Sequence, residues 1–223
     1  MPAPTAAARG AADSPASAAT RERLLDAAES LFARRGFAGA SVRDITRAAA
    51  CNVAAVNYHF GGKAPLYTAV FERRLSALRD QRIAAIRLAL RAAPEPSLET
   101  LLGGFASAFF APLIGPSPGP LLADLMLREL VEPRLSQGLF YRAYSRPVER
   151  ELAAAIARLE PSLAPATARL VARSVVAQLV HEVQALRRQG LFEQHAGLRR
   201  AFARATRHVA RFSAAGARSC REH

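Results

Sequence analysis

The apolar residues of this chain recur mostly at the three- and four-residue spacing of an amphipathic helix, and its β-branched residues never cluster in alternating runs. This pattern predicts an all-α protein. The first helix is expected to begin at Thr20, a good N-cap residue, and to end at Gly36, where a left-handed backbone is favoured. The predicted buried face of this helix consists of Leu24, Leu25, Ala28, Leu31 and Phe32.

Two shorter helices are predicted next. Ser41 stands three residues before Asp44, which is a capping-box arrangement at the start of the second helix. After a break near Ala50, Asn52 is expected to cap a third helix that runs to about His59. The predicted buried faces of these two helices consist of Val42, Ile45, Ala49, Val53, Val56 and Phe60.

Longer helices are predicted over the rest of the chain. The first of them runs from Lys63 to about Ala92 and has apolar residues at helical spacing. Pro147 is expected to kink or split the helix in which it lies, because proline removes a backbone hydrogen bond. The apolar positions of the long helix are Leu66, Val70, Phe71, Leu75, Leu78 and Ile86, and further helices are predicted over residues 97–111, 119–131, 134–160, 164–189 and 195–214.

The first three helices, with a short turn between the second and third, are typical of a helix-turn-helix DNA-binding domain. In that domain the third helix enters the major groove, so small or polar outward residues are favoured. An alanine methyl can touch a thymine methyl, and asparagine can bind adenine through two hydrogen bonds. The candidate DNA contacts here are Asn52, Val53, Ala54, Ala55, Asn57, Tyr58 and His59, with Val53 assigned also to the apolar back.

The run TRERLLDAAESLFARRGFAGASVRDITRAAACNVAAVNYHFGGKAPLY resembles the DNA-binding head of the TetR family of transcriptional regulators. The phrases GFAGASVRDIT and VNYHFGGK fall at the spacing of that family, and the match has no gap. The resemblance implies that Ser41 and Arg43 contact phosphate and that Tyr58 and His59 contact the DNA backbone. It also implies that Lys63 anchors a phosphate at a helix N-terminus.

One position departs from the family pattern. The family usually has glycine in the turn where this chain has Ala50. If the backbone there adopts a positive φ, alanine costs about 1 kcal/mol relative to glycine. We expect this strain to be tolerated and the fold to be kept.

The remainder of the chain is similar to the C-terminal domain of one TetR subgroup, on the strength of the segment LLADLMLRELVEPRL and the kinked helix predicted after it. This resemblance implies a homodimer in which the last two long helices pair with their copies. The alternative is that their apolar stripes pack within one chain. The predicted interface residues are Val171, Val175, Leu179, Val183, Leu186, Leu198, Phe202 and Val209, with Phe212 on the same stripe.

A ligand pocket is expected among the middle helices, because helix bundles hold ligands between their helices. As a group the candidates suggest an apolar cavity for an aromatic or lipid-like effector, although most of them, taken singly, are better explained as ordinary core. Arg128 and Glu129 offer either a polar contact to the effector or an exposed surface. The candidate ligand contacts are Phe105, Phe109, Phe110, Leu121, Leu125, Met126, Phe140, Tyr141 and Tyr144.

The net charge of +13 permits binding to nucleic acid but does not demonstrate it. Lys63 is the only lysine, so nearly all of the excess comes from arginine in a chain that is also rich in alanine, glycine and proline. A GC-rich genome produces this composition whatever the function. The charge is also spread along the chain and forms no single block.

The sequence predicts a cytoplasmic protein with no membrane partner. Cys51 and Cys220 are far apart and form no CxxC pair, which suits a reducing compartment. The N-terminus has no secretory signal pattern, and the most apolar stretch, residues 101–114, contains Pro112 and is too short to span a bilayer. In the predicted turn, Cys51 is either a redox-sensitive group or a buried, inert thiol.

No GxSxG, P-loop or Rossmann fingerprint is present, so neither catalysis nor a cofactor is expected. His181 beside Glu182, and Glu193 near His195, lack the spacing of a metal site. These pairs are interpreted as solvated polar residues of helices.

The predicted organisation is a flexible tail, a helix-turn-helix domain, a helical effector-binding and dimerisation domain, and a C-terminal tail. The predicted function is a repressor of transcription that binds a palindromic double-stranded operator as a homodimer and is released by an unknown small apolar or aromatic effector. The alternative is a DNA-binding regulator without a small-molecule ligand, controlled by a partner protein. The four predicted segments are residues 1–19, 20–66, 67–214 and 215–223.

Overall fold

The computed structural model describes residues 14–91, 95–114, 124–126, 128–129, 134–135 and 138–220, and the regular structure in these ranges is helical. The all-α prediction is therefore confirmed. A π-helical turn, Tyr141–Ser145, precedes α6, and a short 3₁₀ turn, Leu191–Glu193, precedes α8. No helix in the described part of the chain combines the length and apolar character needed to cross a membrane. The helices are α1 Pro15–Gly39, α2 Val42–Ala48, α3 Ala54–Phe60, α4 Lys63–Ala89, α5 Leu98–Ile114, α6 Arg146–Leu159, α7 Pro165–Arg188 and α8 His195–Ser219.

The described residues form two compact units. The first, which we call the head unit, comprises those within Met1–Arg73 and Asp124–Leu135. The second, the body unit, comprises those within Arg74–Ala123 and Ser136–His223. The boundary between them therefore lies inside α4, and the sequence did not predict that residues 124–135 join the head unit.

Helix α1 begins earlier than predicted. The hydroxyl of Ser14 accepts a hydrogen bond from the backbone N–H of Ser17 at 3.2 Å, and Pro15 follows as the first helical residue. Proline is favoured there because that position has no intrahelical N–H partner. Thr20, predicted as the N-cap, lies inside the helix and donates its hydroxyl to the carbonyl of Ala16 at 2.9 Å. The predicted flexible tail is therefore wrong for residues 14–19, and residues 1–13 lie outside the described chain.

Gly36 interrupts α1 where the sequence predicted its end. Its φ of 69° is positive, as expected, but its ψ is 177°, and the chain then makes one more helical turn to Gly39. The apolar stripe before it forms the core of the head unit. Buried residues of this core include Leu24, Leu25, Ala28, Leu31, Phe32, Ile45, Val56, Leu66, Val70 and Phe71.

In the body unit, α5 packs against α8, and α6 packs against α7. The rings of Phe110 and Phe202 stack with centroids 4.2 Å apart at this α5–α8 contact. Pro112 is accommodated inside α5, which continues to Ile114 and not to the predicted end at residue 111.

The predicted disturbance at Pro147 takes the form of the π-helical turn that directly precedes α6. Proline has no N–H to donate, and its ring is too close to the carbonyl four residues earlier for a regular α-turn. That carbonyl belongs to Ala143, and it accepts a hydrogen bond from the guanidinium of Arg79 at 3.4 Å. Arg79 therefore donates to a carbonyl to which Pro147 cannot donate.

Most of the predicted dimer-interface residues are buried inside the single chain. Val171 alone among the eight is half-buried. The burial of the others within one chain supports the alternative that the sequence left open, in which these stripes pack within the monomer. A stripe at helical spacing has the same pattern whether it faces its own chain or a copy. The seven buried residues are Val175, Leu179, Val183, Leu186, Leu198, Phe202 and Val209.

Helix α8 also continues beyond its predicted end at residue 214. Ala217 is buried, and Arg218 bonds both carboxylate oxygens of Glu99, at 2.6 and 2.7 Å, and Glu160 at 3.2 Å. A guanidinium that binds a carboxylate through two parallel hydrogen bonds holds its geometry well. Residues 215–219 are therefore part of the body unit and not a tail, and residues 221–223 lie outside the described chain.

Candidate nucleic-acid interface

The turn between α2 and α3 has the strained backbone expected from the sequence. Ala50 has a φ of +50°, and among the described residues it is the only non-glycine residue with a positive φ. The backbone N–H of Cys51 then donates to the carbonyl of Thr46 at 3.0 Å, which closes the end of α2. Burial raises the pKa of the half-buried Cys51 thiol, so the thiol form is favoured over the reactive thiolate.

Ser41 caps α2 as predicted. Its Oγ accepts a hydrogen bond from the backbone N–H of Asp44 at 3.1 Å and donates its own proton to the Asp44 carboxylate at 2.7 Å. This hydroxyl donor, followed by the charges of Arg35 and Arg47, holds the pKa of Asp44 below its usual value. Because its proton is already donated, Ser41 must rotate its hydroxyl away from Asp44 before it can bond a phosphate.

Asn52 caps α3, which confirms the prediction. Its Oδ1 accepts from the backbone N–H of Ala54 at 2.9 Å, and its carbonyl accepts from Ala55 at 3.0 Å. The side-chain amide nitrogen of Asn52 is left to donate to another group. The cap therefore fixes the start of α3 and leaves one polar group of Asn52 on the surface.

Helix α3 has one buried face and one exposed face. Val56 is fully buried, as predicted, whereas Val53 is 47% exposed and does not belong to the apolar back. The reason is that Val53 precedes the first residue of α3 and lies out of register with its buried stripe. Tyr58 is 60% exposed. The other exposed candidates are Asn52, Ala54 and Asn57, and the half-buried ones are Ala55 and His59.

Two of the three predicted phosphate contacts outside α3, Arg43 and Lys63, are basic. Arg43 is exposed on α2. Lys63 is the first residue of α4, and its Nζ lies 4.4 Å from the ring centroid of Phe37. Partial burial lowers the pKa of Lys63, and no carboxylate of the described residues pairs with it. Its charge is therefore available for an anion.

Residues 124–135 contribute two side chains to the head unit that the sequence analysis did not place there. Nε of Arg128 donates to the carbonyl of Ala33 at 2.9 Å, and a terminal nitrogen donates to that of Arg34 at 3.1 Å. These carbonyls lie at the end of the regular part of α1, just before Gly36, and have no helical N–H partners there. Arg128 thus caps α1.

Glu129 is buried in the same unit. One carboxylate oxygen accepts from the hydroxyl of Tyr67 at 2.8 Å, and the other accepts from the backbone N–H groups of Arg134 and Leu135 at 2.9 and 2.8 Å. Burial, and then the bond to Glu129, raise the pKa of Tyr67 well above its usual value. Glu129 lies four residues after the buried Leu125, and this shared helical face is the sequence signal that was available.

Arg73 of α4 binds three carboxylates of α1. It lies 3.1 Å from Glu22, 2.9 Å from Asp26 and 2.7 Å from Glu29. The Glu29 side chain is buried, so its charge depends on this partner. None of these four residues was among the predicted site residues.

The predicted ligand contacts are divided between the two units. Phe105, Phe109, Phe110 and Tyr144 are buried in the body unit. Tyr141 of the same unit is 52% exposed and lines an open cavity of about 510 Å³ between α6 and α7. Of the others, Phe140 is half-buried in the body unit, Leu125 and Met126 belong to the head unit, and Leu121 lies outside the described residues.

Arg82 lies among these aromatic residues and was not among the predicted ligand contacts. Its side chain is 5% exposed, and its guanidinium carbon is 4.0 Å from the ring centroid of Phe109 and 5.0 Å from that of Tyr144. Burial lowers its pKa to about 9. Arg82 follows Leu78 and precedes Ile86 by four residues each, so it occupies a position of the apolar stripe of α4.

The comparisons with known proteins agree with this arrangement. Residues 24–70 match the family model described as bacterial regulatory proteins, tetR family. The chain is 43% identical over 47 residues to the probable HTH-type transcriptional regulator YttP of Bacillus subtilis, covering 21% of this chain and 23% of that protein. It is 36% identical over 83 residues to the HTH-type transcriptional repressor NicS of Pseudomonas putida, covering 37% of this chain and 38% of that protein. The matches thus span well under half the length of either relative.

Solved structures extend the likeness of fold over most of the chain. The transcriptional regulator FadR from Bacillus subtilis, in complex with stearoyl-CoA, superposes with a TM-score of 0.66 at 16% identity, covering 85% of this chain and 97% of that chain. The TetR-family regulator PfmR from Thermus thermophilus superposes with a TM-score of 0.58 at 21% identity, covering 86% and 95%. Residues 24–70 thus match the model of the tetR family of bacterial regulatory proteins, and the chain shares the fold of solved regulators over most of its length.

Proposed function

We propose that this protein is a DNA-binding regulator of transcription, a repressor that binds a palindromic operator as a homodimer and is released by a small apolar or aromatic effector. The DNA-binding part of the proposal rests on helix α3, which has one buried face and one exposed face. Its inner residue Val56 is fully buried, while Asn57 and Tyr58 beside it are exposed. A short helix with this division can be inserted into the major groove without loss of its own core.

The surroundings of α3 support the same proposal. The cap at Asn52 and the turn at Ala50 fix the direction in which α3 begins. Arg43 lies on the helix before α3 and Lys63 on the helix after it, so a cation is present on each side of α3 along the chain. Asparagine can specify adenine, and the cations can hold the phosphates.

A mobility-shift assay tests the DNA-binding part. The DNA is the region upstream of the protein's own gene and its neighbours, with excess nonspecific competitor at moderate salt. We expect a sequence-selective shift, and its absence would contradict the proposal. Asn57→Ala should weaken specific binding by about 10- to 100-fold, because one bidentate base contact is worth about 1–3 kcal/mol. Tyr58→Ala should weaken binding to all sequences alike, because a phosphate contact carries no sequence information.

Leu88→Ala is the matched control for these variants. Leu88 is an exposed apolar residue in the body unit, so its removal changes neither the core nor the proposed DNA surface. Its operator affinity should equal that of the wild type. Equal losses in all three variants would show a general perturbation of the protein and would count against contacts by Asn57 and Tyr58.

The dimer part of the proposal uses the outward side of α8, since its inward side belongs to the core. Phe212 is 62% exposed, and its ring stacks on that of His208 with centroids 5.7 Å apart. A large exposed ring on a long terminal helix suits burial against a copy of the same helix. Two heads held by such a contact can read two half-sites of a palindrome.

The effector part of the proposal is supported by the buried aromatic residues of the body unit and by residues 124–135. A ligand changes DNA binding only if it binds two conformations of the protein unequally. Arg128 and Glu129 bond to α1 and α4 of the head unit, while the chain before and after them is assigned to the body unit. A conformational difference in the body can therefore reach the head through the positions of these two side chains.

A further inference from the structure

Arg82 is buried, and the described residues place no counter-charge beside it. One terminal nitrogen donates to the carbonyl of Phe109 at 3.4 Å, which is a long hydrogen bond. Its Nε has no hydrogen-bond partner, and no carboxylate of the described residues forms an ion pair with it. Arg73 and Arg218, by contrast, each bind two or more carboxylates.

A buried, unpaired cation is unfavourable for the protein alone. The aromatic faces of Phe109 and Tyr144 offset part of the lost hydration through cation–π attraction. They provide no acceptor for the N–H groups, and a buried donor without an acceptor destabilises the folded state. A purely structural role would be served better by leucine or methionine at this position of the stripe.

We propose that Arg82 binds the carboxylate of the effector, and that the effector is an apolar monocarboxylic acid. This inference rests on the ligand-responsive part of the proposed function and names the chemical class of the ligand. A guanidinium binds a carboxylate through two parallel hydrogen bonds, and the unpartnered Nε–H is one of the donors used in that arrangement.

The surroundings of Arg82 indicate the rest of the ligand. Phe109 packs edge-to-face on Phe110 with ring centroids 5.7 Å apart, and Phe105 is fully buried on the same helix. Such side chains favour an aromatic ring or an aliphatic chain. Arg82 is the one buried cation of the described residues, so a single negative charge matches it better than the double charge of a phosphate ester.

The test measures thermal unfolding of the full-length protein with defined probes. The acids are butyrate, octanoate, decanoate, benzoate and phenylacetate, and each is compared with the alcohol of the same carbon skeleton. We expect at least one acid to raise the Tm of the wild type by about 3 °C or more at millimolar concentration, and its alcohol to raise it less. If no acid does so, or if the alcohols act equally, the proposal is overturned.

Two variants assign the effect to Arg82. Arg82→Met should abolish the Tm shift by the acid, whereas Arg87→Met, which removes an exposed arginine paired with Glu151, should retain it. Without ligand, Arg82→Met should also unfold about 3 °C higher than the wild type, because it removes an uncompensated buried charge. A lower Tm for ligand-free Arg82→Met, or an unchanged response to the acid, would show that Arg82 is structural.

The mobility shift separates this inference from the function on which it rests. Ligand-free Arg82→Met should bind the operator as the wild type does, since Arg82 lies in the body unit. If the wild type binds the acid through Arg82 but no operator is shifted, the proposed function fails while the carboxylate site stands. If the operator is shifted but no acid raises the Tm in a way that depends on Arg82, only the carboxylate site is contradicted.

Discussion

At the scale of single residues, the turn that precedes the proposed DNA-contacting helix α3 has an unfavourable backbone. Ala50 adopts a φ of +50°, a region in which the β-carbon of an L-residue is crowded. The neighbouring helices maintain this strained conformation, because their caps at Ser41 and Asn52 fix the backbone on both sides of the turn. The head therefore tolerates a residue that its own turn does not favour.

Replacing Ala50 by glycine should stabilise the protein. We expect Ala50→Gly to raise the free energy of unfolding by about 0.5–1 kcal/mol, because glycine adopts a positive φ without strain. Urea denaturation followed by circular dichroism measures the difference. Ala84→Gly is the matched control: Ala84 is exposed in the interior of α4, so glycine there should lower stability by about 0.5–1 kcal/mol. Loss of stability in Ala50→Gly would contradict the assigned backbone.

At the scale of elements, charged side chains attach α4 and residues 124–135 to α1. Arg73 binds the carboxylates of α1, and Arg128 caps the same helix at its far end. Glu129 adds a buried bond to Tyr67 of α4. These contacts join segments that are distant in sequence, which is why the head unit is larger than the helix-turn-helix alone.

The cluster at Arg73 gives a second stability prediction. Arg73→Met should lower the free energy of unfolding by about 3 kcal/mol, because it removes the guanidinium that lies 2.7 Å from the buried carboxylate of Glu29. Arg47→Met is the control, since Arg47 is highly exposed and its contact with Asp44 is 3.7 Å long. It should change stability by less than about 0.5 kcal/mol. Similar losses in both variants, measured by urea denaturation, would show that the cluster has no special role.

The helix caps and buried helix faces could be predicted from the sequence, whereas contacts between distant segments could not. Caps and stripes depend on neighbours within one helix, so Ser41, Asn52 and the buried face of α1 could be located before the structure. The start of α1 was missed because a stretch of alanine, proline and serine has no apolar stripe, although Ser14 and Pro15 form a favourable helix start. The roles of Arg82 and Glu129 depend on residues far away in sequence, so they required the fold.

At the scale of the whole molecule, the proposed dimer has to overcome like charge. Around Phe212, the outward residues Arg204, Arg207 and Arg211 of α8 are exposed. Two copies of this surface brought together repel each other, and salt screens that repulsion. Binding to DNA has the opposite dependence, because salt competes for the phosphates. The two associations of this protein should therefore respond to salt in opposite directions.

This gives a prediction for sedimentation equilibrium. Raising NaCl from about 0.1 M to about 1 M shortens the screening length from about 10 Å to about 3 Å and should lower the dissociation constant of the dimer. Phe212→Arg should weaken the dimer by at least about tenfold, because it replaces an apolar contact by another charge. Leu88→Arg, on α4, should not. A dimer that weakens with salt, or that ignores Phe212→Arg, would contradict an interface on α8.

The position of Lys63 has a practical consequence for following DNA binding. It is the only lysine in the chain, so an acylating reagent for primary amines modifies one side chain besides the N-terminus. The lowered pKa of Lys63 keeps more of its amine in the nucleophilic, uncharged form at mildly alkaline pH. Operator DNA should slow the acylation, as measured by mass spectrometry of the Lys63 peptide, and an equal rate with DNA present would remove Lys63 from the interface. The protein thus has a built-in chemical reporter at its proposed phosphate contact.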